Sequence, residues 1–158
     1  QIAPYGNIKI ILYGISMGAA TVMMTSGEKL PSNVRMVIED CGYTSAWDEM
    51  AHELKYLFKM PTFPALYNAN FITRIRAGYS LKKASCIKQL KKSKLPILFI
   101  HGDKDNFVPF YMLDKLYEAG GSKKEKLVIK GAGHAEAQWI NPEKYWHTVR
   151  KFIKRYLF

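Results

Sequence analysis

Four short runs of apolar and β-branched residues punctuate the chain, at 7–13, 34–39, 95–101 and 126–130. Runs that are apolar on both faces form strands buried on both sides of a sheet. The longer stretches between them read as helices. Residues 16–27 are rich in Met, Ala and small side chains and close on Gly27. Residues 44–58 open on a Thr/Ser start and carry Trp47, Met50, Leu54, Leu57 and Phe58 at helical spacing. Residues 110–119 are followed by Gly120 and Gly121, and 142–157 form a terminal amphipathic helix with Pro142 in its first turn. Strands joined by crossover helices pair in parallel, so the fold class is α/β, a mostly parallel sheet with flanking helices. One segment breaks the rhythm. Residues 59–80 hold Pro61, Pro64 and Gly78 among aromatic side chains. They are too irregular for a helix against the sheet and read as a lid-like excursion over the strand ends.

A chain of 158 residues is the size of one domain, spanning 1–158, and can bury about 68–70% of the surface it exposes when unfolded. Its net charge of +11, from 24 basic and 13 acidic residues, first suggests nucleic acid or an anionic surface as partner. The distribution argues otherwise. Lysine supplies most of the charge, in short clusters scattered along the chain, as on solvated helix faces. Zinc-finger spacing and the aromatic-glycine signature of an RNA-binding sheet are both missing from the sequence, so no nucleic-acid partner is expected. Two cysteines, Cys41 and Cys86, make no disulfide framework. Cys41, at the end of an apolar strand, reads as a small buried filler.

Three motifs follow strand ends. Gly14-Ile15-Ser16-Met17-Gly18 lies between a strand and a helix, the context a G-x-S-x-G elbow requires. Its glycines permit a tight turn that lifts the Ser16 hydroxyl clear of the sheet. The Met17 backbone N–H then faces the same space at a helix N-terminus, where negative charge is favoured. After the third strand comes His101-Gly102-Asp103-Lys104-Asp105. A carboxylate there lies at the sheet edge where α/β sites form and can orient a histidine. Asp103 and Asp105 both qualify, and Asp105 lies further into the loop, where it can reach across. Asp40, after the second strand, is a rival acid. After the fourth strand, Gly131-Ala132-Gly133-His134-Ala135 leaves His134 on a flexible turn as a proton carrier. His101 reads as structural, and His52 and His147 as ordinary helix residues. The order serine, acid, histidine is that of α/β-hydrolases and not of chymotrypsin- or subtilisin-type enzymes.

The stretches YGISMGAAT, EDCGYTS, PILFIHGDKDNFVP and GAGHAEA resemble the bacterial α/β-hydrolase superfamily, in its prolyl-oligopeptidase-like and esterase branch. The resemblance implies Ser16 as nucleophile, Asp105 as acid, His134 as base and the Met17 backbone as one oxyanion donor. Family members have several strands before the elbow, so the resemblance implies that this chain is the C-terminal half of such a domain, with those strands missing. The apolar strand edge at 9–13 would then be open to self-association or to pairing with the missing half. The second oxyanion donor would also lie outside the chain.

The expected activity is hydrolysis of an acyl bond through an acyl-enzyme, an ester before a peptide or amide, on a small-molecule substrate. Neither a metal nor an organic cofactor is expected. Tyr43 and Phe107 are candidate walls of an acyl pocket, with core packing as the plainer role. The alternative is a catalytically incomplete fragment acting as a binding or association module. The sequence leaves localisation open, between the cytoplasm and a membrane anchor in a Gram-positive bacterium.

Overall fold

The computed structural model describes residues 8–157. Four strands, β1 (Ile10–Ile15), β2 (Val34–Asp40), β3 (Ile97–Gly102) and β4 (Lys124–Ile129), form one sheet in the order β1-β2-β3-β4. All three pairings are parallel. Parallel neighbours need crossovers, and helices supply them. These are α1 (Met17–Ser26), α2 (Ala46–Phe58), α3 (Ala65–Ala77), α4 (Cys86–Leu90) and α5 (Tyr111–Ala119). Two more, α6 (Ala137–Ile140) and α7 (Pro142–Leu157), follow β4.

Alternation along the strands divides the core in two. Met36, Ile38, Leu98, Ile100, Leu127 and Ile129 point to one face, where Tyr145, Val149 and Phe152 of α7 cover them. Val37, Ile97 and Phe99 point to the other, against Ala20 and Met23 of α1, Leu90 of α4, and Leu113 and Leu116 of α5. A strand buried on both faces has no polar side to show, which is why these runs are almost wholly apolar.

Several boundaries differ from the sequence reading. The expected first strand began at Asn7, which lies outside the described residues, and β1 continues through Gly14 to Ile15. β4 starts at Lys124, because Ile97 to Gly102 pair in register with Lys124 to Ile129. Lysine stems lie along the edge of this strand, and Lys124 Nζ donates to the carbonyls of Tyr117 and Gly120. Helices α4 and α6 are too short to carry a helical period.

Segment 59–80 holds a helix that the sequence reading did not name. Its breakers are the ends of a helix and do not interrupt it: Pro64 stands at the N-terminus of α3 and Gly78, with φ +72°, closes it. Helix α3 is an outrigger, in which only Leu66 is buried. Helix α2 also turns a different face inward from the one its spacing suggested. Met50, Leu57 and Phe58 are exposed while Glu49 is buried.

Two glycines hold the framework at close approaches. A Cβ on Gly14 would meet the Gly18 carbonyl oxygen at 2.2 Å, and one on Gly102 would meet the Ala132 carbonyl oxygen at 2.2 Å. Both obstacles are backbone, which cannot swing aside. Gly14→Ala and Gly102→Ala should each lower unfolding free energy by about 1–3 kcal/mol in urea titrations. At Gly18, where an added Cβ meets nothing within 4 Å, alanine should leave stability within about 1 kcal/mol of the parent.

Candidate active site

Parallel pairing places the ends of β1, β2, β3 and β4 on one edge, and the loops that leave them carry the polar residues. Ser16 sits between β1 and α1 with φ 56° and ψ −118°. A non-glycine residue here is strained by about 1–3 kcal/mol and persists only where its surroundings enforce it. They do so from both sides: Ser16 N–H donates to the Asp40 carbonyl at the end of β2, and the Ser16 carbonyl accepts from Ala20 N–H inside α1. The turn leaves Oγ free of any cap to its own helix. It also puts Met17 N–H at the start of α1, among the donors that an α-helix leaves without an internal partner.

Two loops are zipped together to bring the acid and the histidine to that hydroxyl. Asp103 N–H donates to the Ile129 carbonyl and Lys104 N–H to the Ala132 carbonyl. Asp103 Oδ1 in turn accepts from Gly131 N–H at 2.6 Å. Asp103 therefore braces the histidine loop, as a turn residue rather than the acid. Asp105 Oδ1 accepts from the N–H groups of Phe107 and Val108 at 3.0 and 2.9 Å, fixing the carboxylate plane. Its Oδ2 accepts from His134 Nδ1 at 2.8 Å. A carboxylate only accepts, so Nδ1 carries the ring proton, and in the neutral ring Nε2 is the acceptor. His134 Nε2 lies 2.8 Å from Ser16 Oγ. Ser16, His134 and Asp105 thus form one continuous hydrogen-bonded chain.

The electrostatics agree with that geometry. Burial works against an ionised Asp105, but hydrogen bonds from His101 and His134 outweigh it and hold the carboxyl at about 2. Hydrogen bonding to Asp105 raises the His134 pKa above its ordinary value despite partial burial. His101 is fully buried, donates from Nε2 to the Val108 carbonyl at 3.0 Å and lies 3.4 Å from Asp105 Oδ2. It is a structural brace for the acid loop.

The rival acid is occupied elsewhere. Asp40 Oδ2 accepts from the Tyr145 hydroxyl at 2.8 Å, and Tyr145 shares a hydrogen bond with Tyr13. Burial pushes the Asp40 carboxyl up to about 6, although Tyr145 and the two histidines oppose the shift. Cys41, at φ 50°, is buried beside this centre. Its thiol lies within 4.8 Å of ligand atoms of Asp105 and His134. That set does not fit a metal ion: His134 Nδ1 is committed to Asp105, and burial pushes the Cys41 thiol far up, away from the thiolate a metal needs.

Phe107 lies tilted 4.8 Å from the His134 ring and is 44% exposed. Tyr43 is half-buried and packs against the core under α1 and α4. One further residue was not legible in the sequence. Glu49 is buried on α2, and neither carboxylate oxygen finds a partner among the described residues. Burial, and next the charge of Glu53, push it up to about 7. Its charge adds to the raised pKa of His134.

Comparison with known proteins places this geometry. No family model matches the sequence. The chain is 28% identical over 142 residues to the uncharacterized protein YqkD of Bacillus subtilis (strain 168), covering 90% of this chain and 47% of that protein. The chain spans less than half the length of the curated relatives it matches. Among solved structures, the esterase PF2001 of Pyrococcus furiosus aligns over 99% of this chain and 57% of its own, with TM-score 0.69 and 21% identity. An acylaminoacyl peptidase of Pyrococcus horikoshii aligns over 94% of this chain and 24% of its own, with TM-score 0.67 and 18% identity. The chain shares part of the fold of an α/β hydrolase, aligning over 95% of its own length and 63% of MGS-MChE2 with TM-score 0.63 and 20% identity.

The Asp105–His134 pair has a pH signature. The raised His134 pKa stabilises the fold fully below its unfolded value of about 6.5, and that contribution is lost as pH rises through the folded value. The lowered Asp105 pKa stabilises the fold above about 3.8, and that contribution is lost as pH falls through about 2. In NMR titrations the His134 imidazole should therefore titrate above about 6.5, and Asp105→Asn should bring it down. An unchanged His134 pKa in that variant would mean that the pair does not couple in solution.

Proposed function

We propose that this protein is a serine hydrolase acting on an acyl bond, an ester before a peptide or amide, with Ser16 as nucleophile, His134 as base and Asp105 as the orienting acid. One observation carries the reading: His134 stands 2.8 Å from Ser16 Oγ and 2.8 Å from Asp105 Oδ2, on opposite ring nitrogens. The strained turn at Ser16 supports it, because it holds the hydroxyl off the cap of its own helix and towards His134. The esterases and peptidases that share the fold are consistent with it.

The steps follow from the hydrogen-bonded chain. Ser16 Oγ attacks the carbonyl carbon while its proton passes to His134 Nε2. Asp105, held ionised, stabilises the imidazolium. The carbonyl oxygen, now an oxyanion, faces the Met17 N–H at the start of α1. Collapse expels the alcohol or amine, which takes its proton from His134. Water, activated by His134, then releases the acid from Ser16. Phe107 lies beside the imidazole, where it can bound the acyl site, and Tyr43, packed under α1 and α4, is the second candidate wall.

A second reading rests on the sheet edge. Among the described residues, β1 pairs with β2 on one side and with no strand on the other. We propose that this apolar edge accepts a strand from a second copy or from another segment of the protein. That strand would bring the second oxyanion donor, worth about 10²–10³ in rate.

One assay separates these readings. Hydrolysis of p-nitrophenyl esters should fall by at least about 10³-fold in Ser16→Ala and about 10²–10⁴-fold in Asp105→Asn. The rate should rise with pH through the His134 titration, because the neutral ring is the base. Activity per chain that is independent of concentration supports a self-sufficient site, and activity that climbs with concentration supports pairing at β1. Equal hydrolysis by the parent and Ser16→Ala would refute the assignment of the nucleophile.

A further inference from the structure

Helices α2 and α3 leave the core at one point and return to it at the same point. Ser45 and Ser85 form an isolated antiparallel bridge, Ala46 N–H donates to the Ala84 carbonyl, and Cys86 N–H donates to the Thr44 carbonyl. The loop between is pinned lightly. Trp47 and Tyr67 meet edge to face at 5.0 Å, with Lys82 Nζ over both rings. Asn70 Oδ1 accepts from the Ser80 hydroxyl and Leu81 N–H.

The outer surface of this excursion is apolar. Phe58, Phe63, Phe71, Ile72, Ile75 and Tyr79 are each 53–68% exposed. A patch this rich in large apolar side chains is unusual on a water-facing surface and marks an interaction face. From the end of α2 through α3 the charge has one sign. The sequence has no Asp or Glu between Glu53 and Asp103, while Lys55, Lys59, Arg74, Arg76, Lys82 and Lys83 all lie on or beside α2 and α3. The basic excess is therefore undiluted on α3 itself.

We propose that the α2–α3 excursion is a docking face for an anionic lipid surface. Its aromatic and branched side chains would enter the boundary between headgroups and acyl chains, and its arginines and lysines would meet the phosphates. A second copy is the poorer occupant. A two-fold contact through α3 would set Arg74 and Arg76 against the same cations, with no acidic residue in α3 to answer them. Helix α2 reaches the loop that carries Asp105, where His52 Nε2 donates to the Asn106 carbonyl at 2.9 Å. Docking would hold Ser16 near lipid-borne acyl groups. That consequence rests on the hydrolase reading, and the docking does not.

The test is flotation with vesicles of phosphatidylcholine alone and of equimolar phosphatidylcholine and phosphatidylglycerol, using the parent and the Ser16→Ala chain. Both chains should bind the anionic vesicles about tenfold or more tightly than the neutral ones, and added salt should weaken the binding. Phe71→Ser with Ile75→Ser, or Arg74→Ala with Arg76→Ala, should each lower binding about tenfold. These side chains are exposed, so circular dichroism should stay unchanged. Lys92→Ala with Lys94→Ala, in the basic groove that also holds Lys29, Arg35 and Lys123, should leave binding within about twofold. Unchanged binding by the α3 variants would overturn the proposal. So would self-association that those variants abolish in the absence of vesicle binding. Absence of hydrolysis by the parent chain with vesicle binding intact would count against the hydrolase reading alone.

Discussion

Parallel pairing of four strands is the constraint from which the rest follows. It forces every connection to cross over the sheet, and helices do this on both faces. It also sends every strand out at one edge, so that residues distant in sequence, Ser16, Asp40, Asp105 and His134, come together without a dedicated scaffold. The main chain then does the fine positioning. The Ser16 turn is tied to β2 through Asp40, and the acid and histidine loops are tied through Asp103 and the Ala132 carbonyl. A cation on His134 is stabilised by an acid that three N–H groups and a neighbouring histidine keep ionised.

Much of this was legible because the chemistry sits at strand ends, and strand ends are where sequence patterns are sharpest. Gly14 and Gly18 flank the serine because β1 and α1 approach too closely for a side chain at the first position. The sequence favours Asp105 over Asp103 by its place in the loop, and the fold shows the physical difference between them. Each is a loop aspartate accepting backbone N–H bonds, and the second oxygen of Asp105 alone meets the imidazole. Between Asp105 and Asp40 the fold draws a geometric difference: Asp105 meets the His134 imidazole, while Tyr145, from the far end of the chain, donates to Asp40.

What the sequence did not disclose lies in the α2–α3 excursion. Hydrophobic spacing predicts a helix face but not which body it faces. On α2 that spacing pointed Met50, Leu57 and Phe58 inward, and the fold instead buries Glu49 and leaves those three towards solvent. Pro64 and Gly78 looked like interruptions because the helix they delimit contributes almost nothing to the core. Helix α2 meets the edge of strand ends, where His52 Nε2 donates to the Asn106 carbonyl and the buried Glu49 adds to the raised pKa of His134.

The central claim is that His134 makes Ser16 a nucleophile. The most direct measurement is mass spectrometry of the chain after treatment with a fluorophosphonate, with the adduct located by peptide mapping and its rate followed against pH. The account predicts a single adduct on Ser16, forming faster as His134 loses its proton and slowed at least about 10²-fold by His134→Ala. An adduct on another residue, or labelling of Ser16 that ignores both pH and His134, would contradict it.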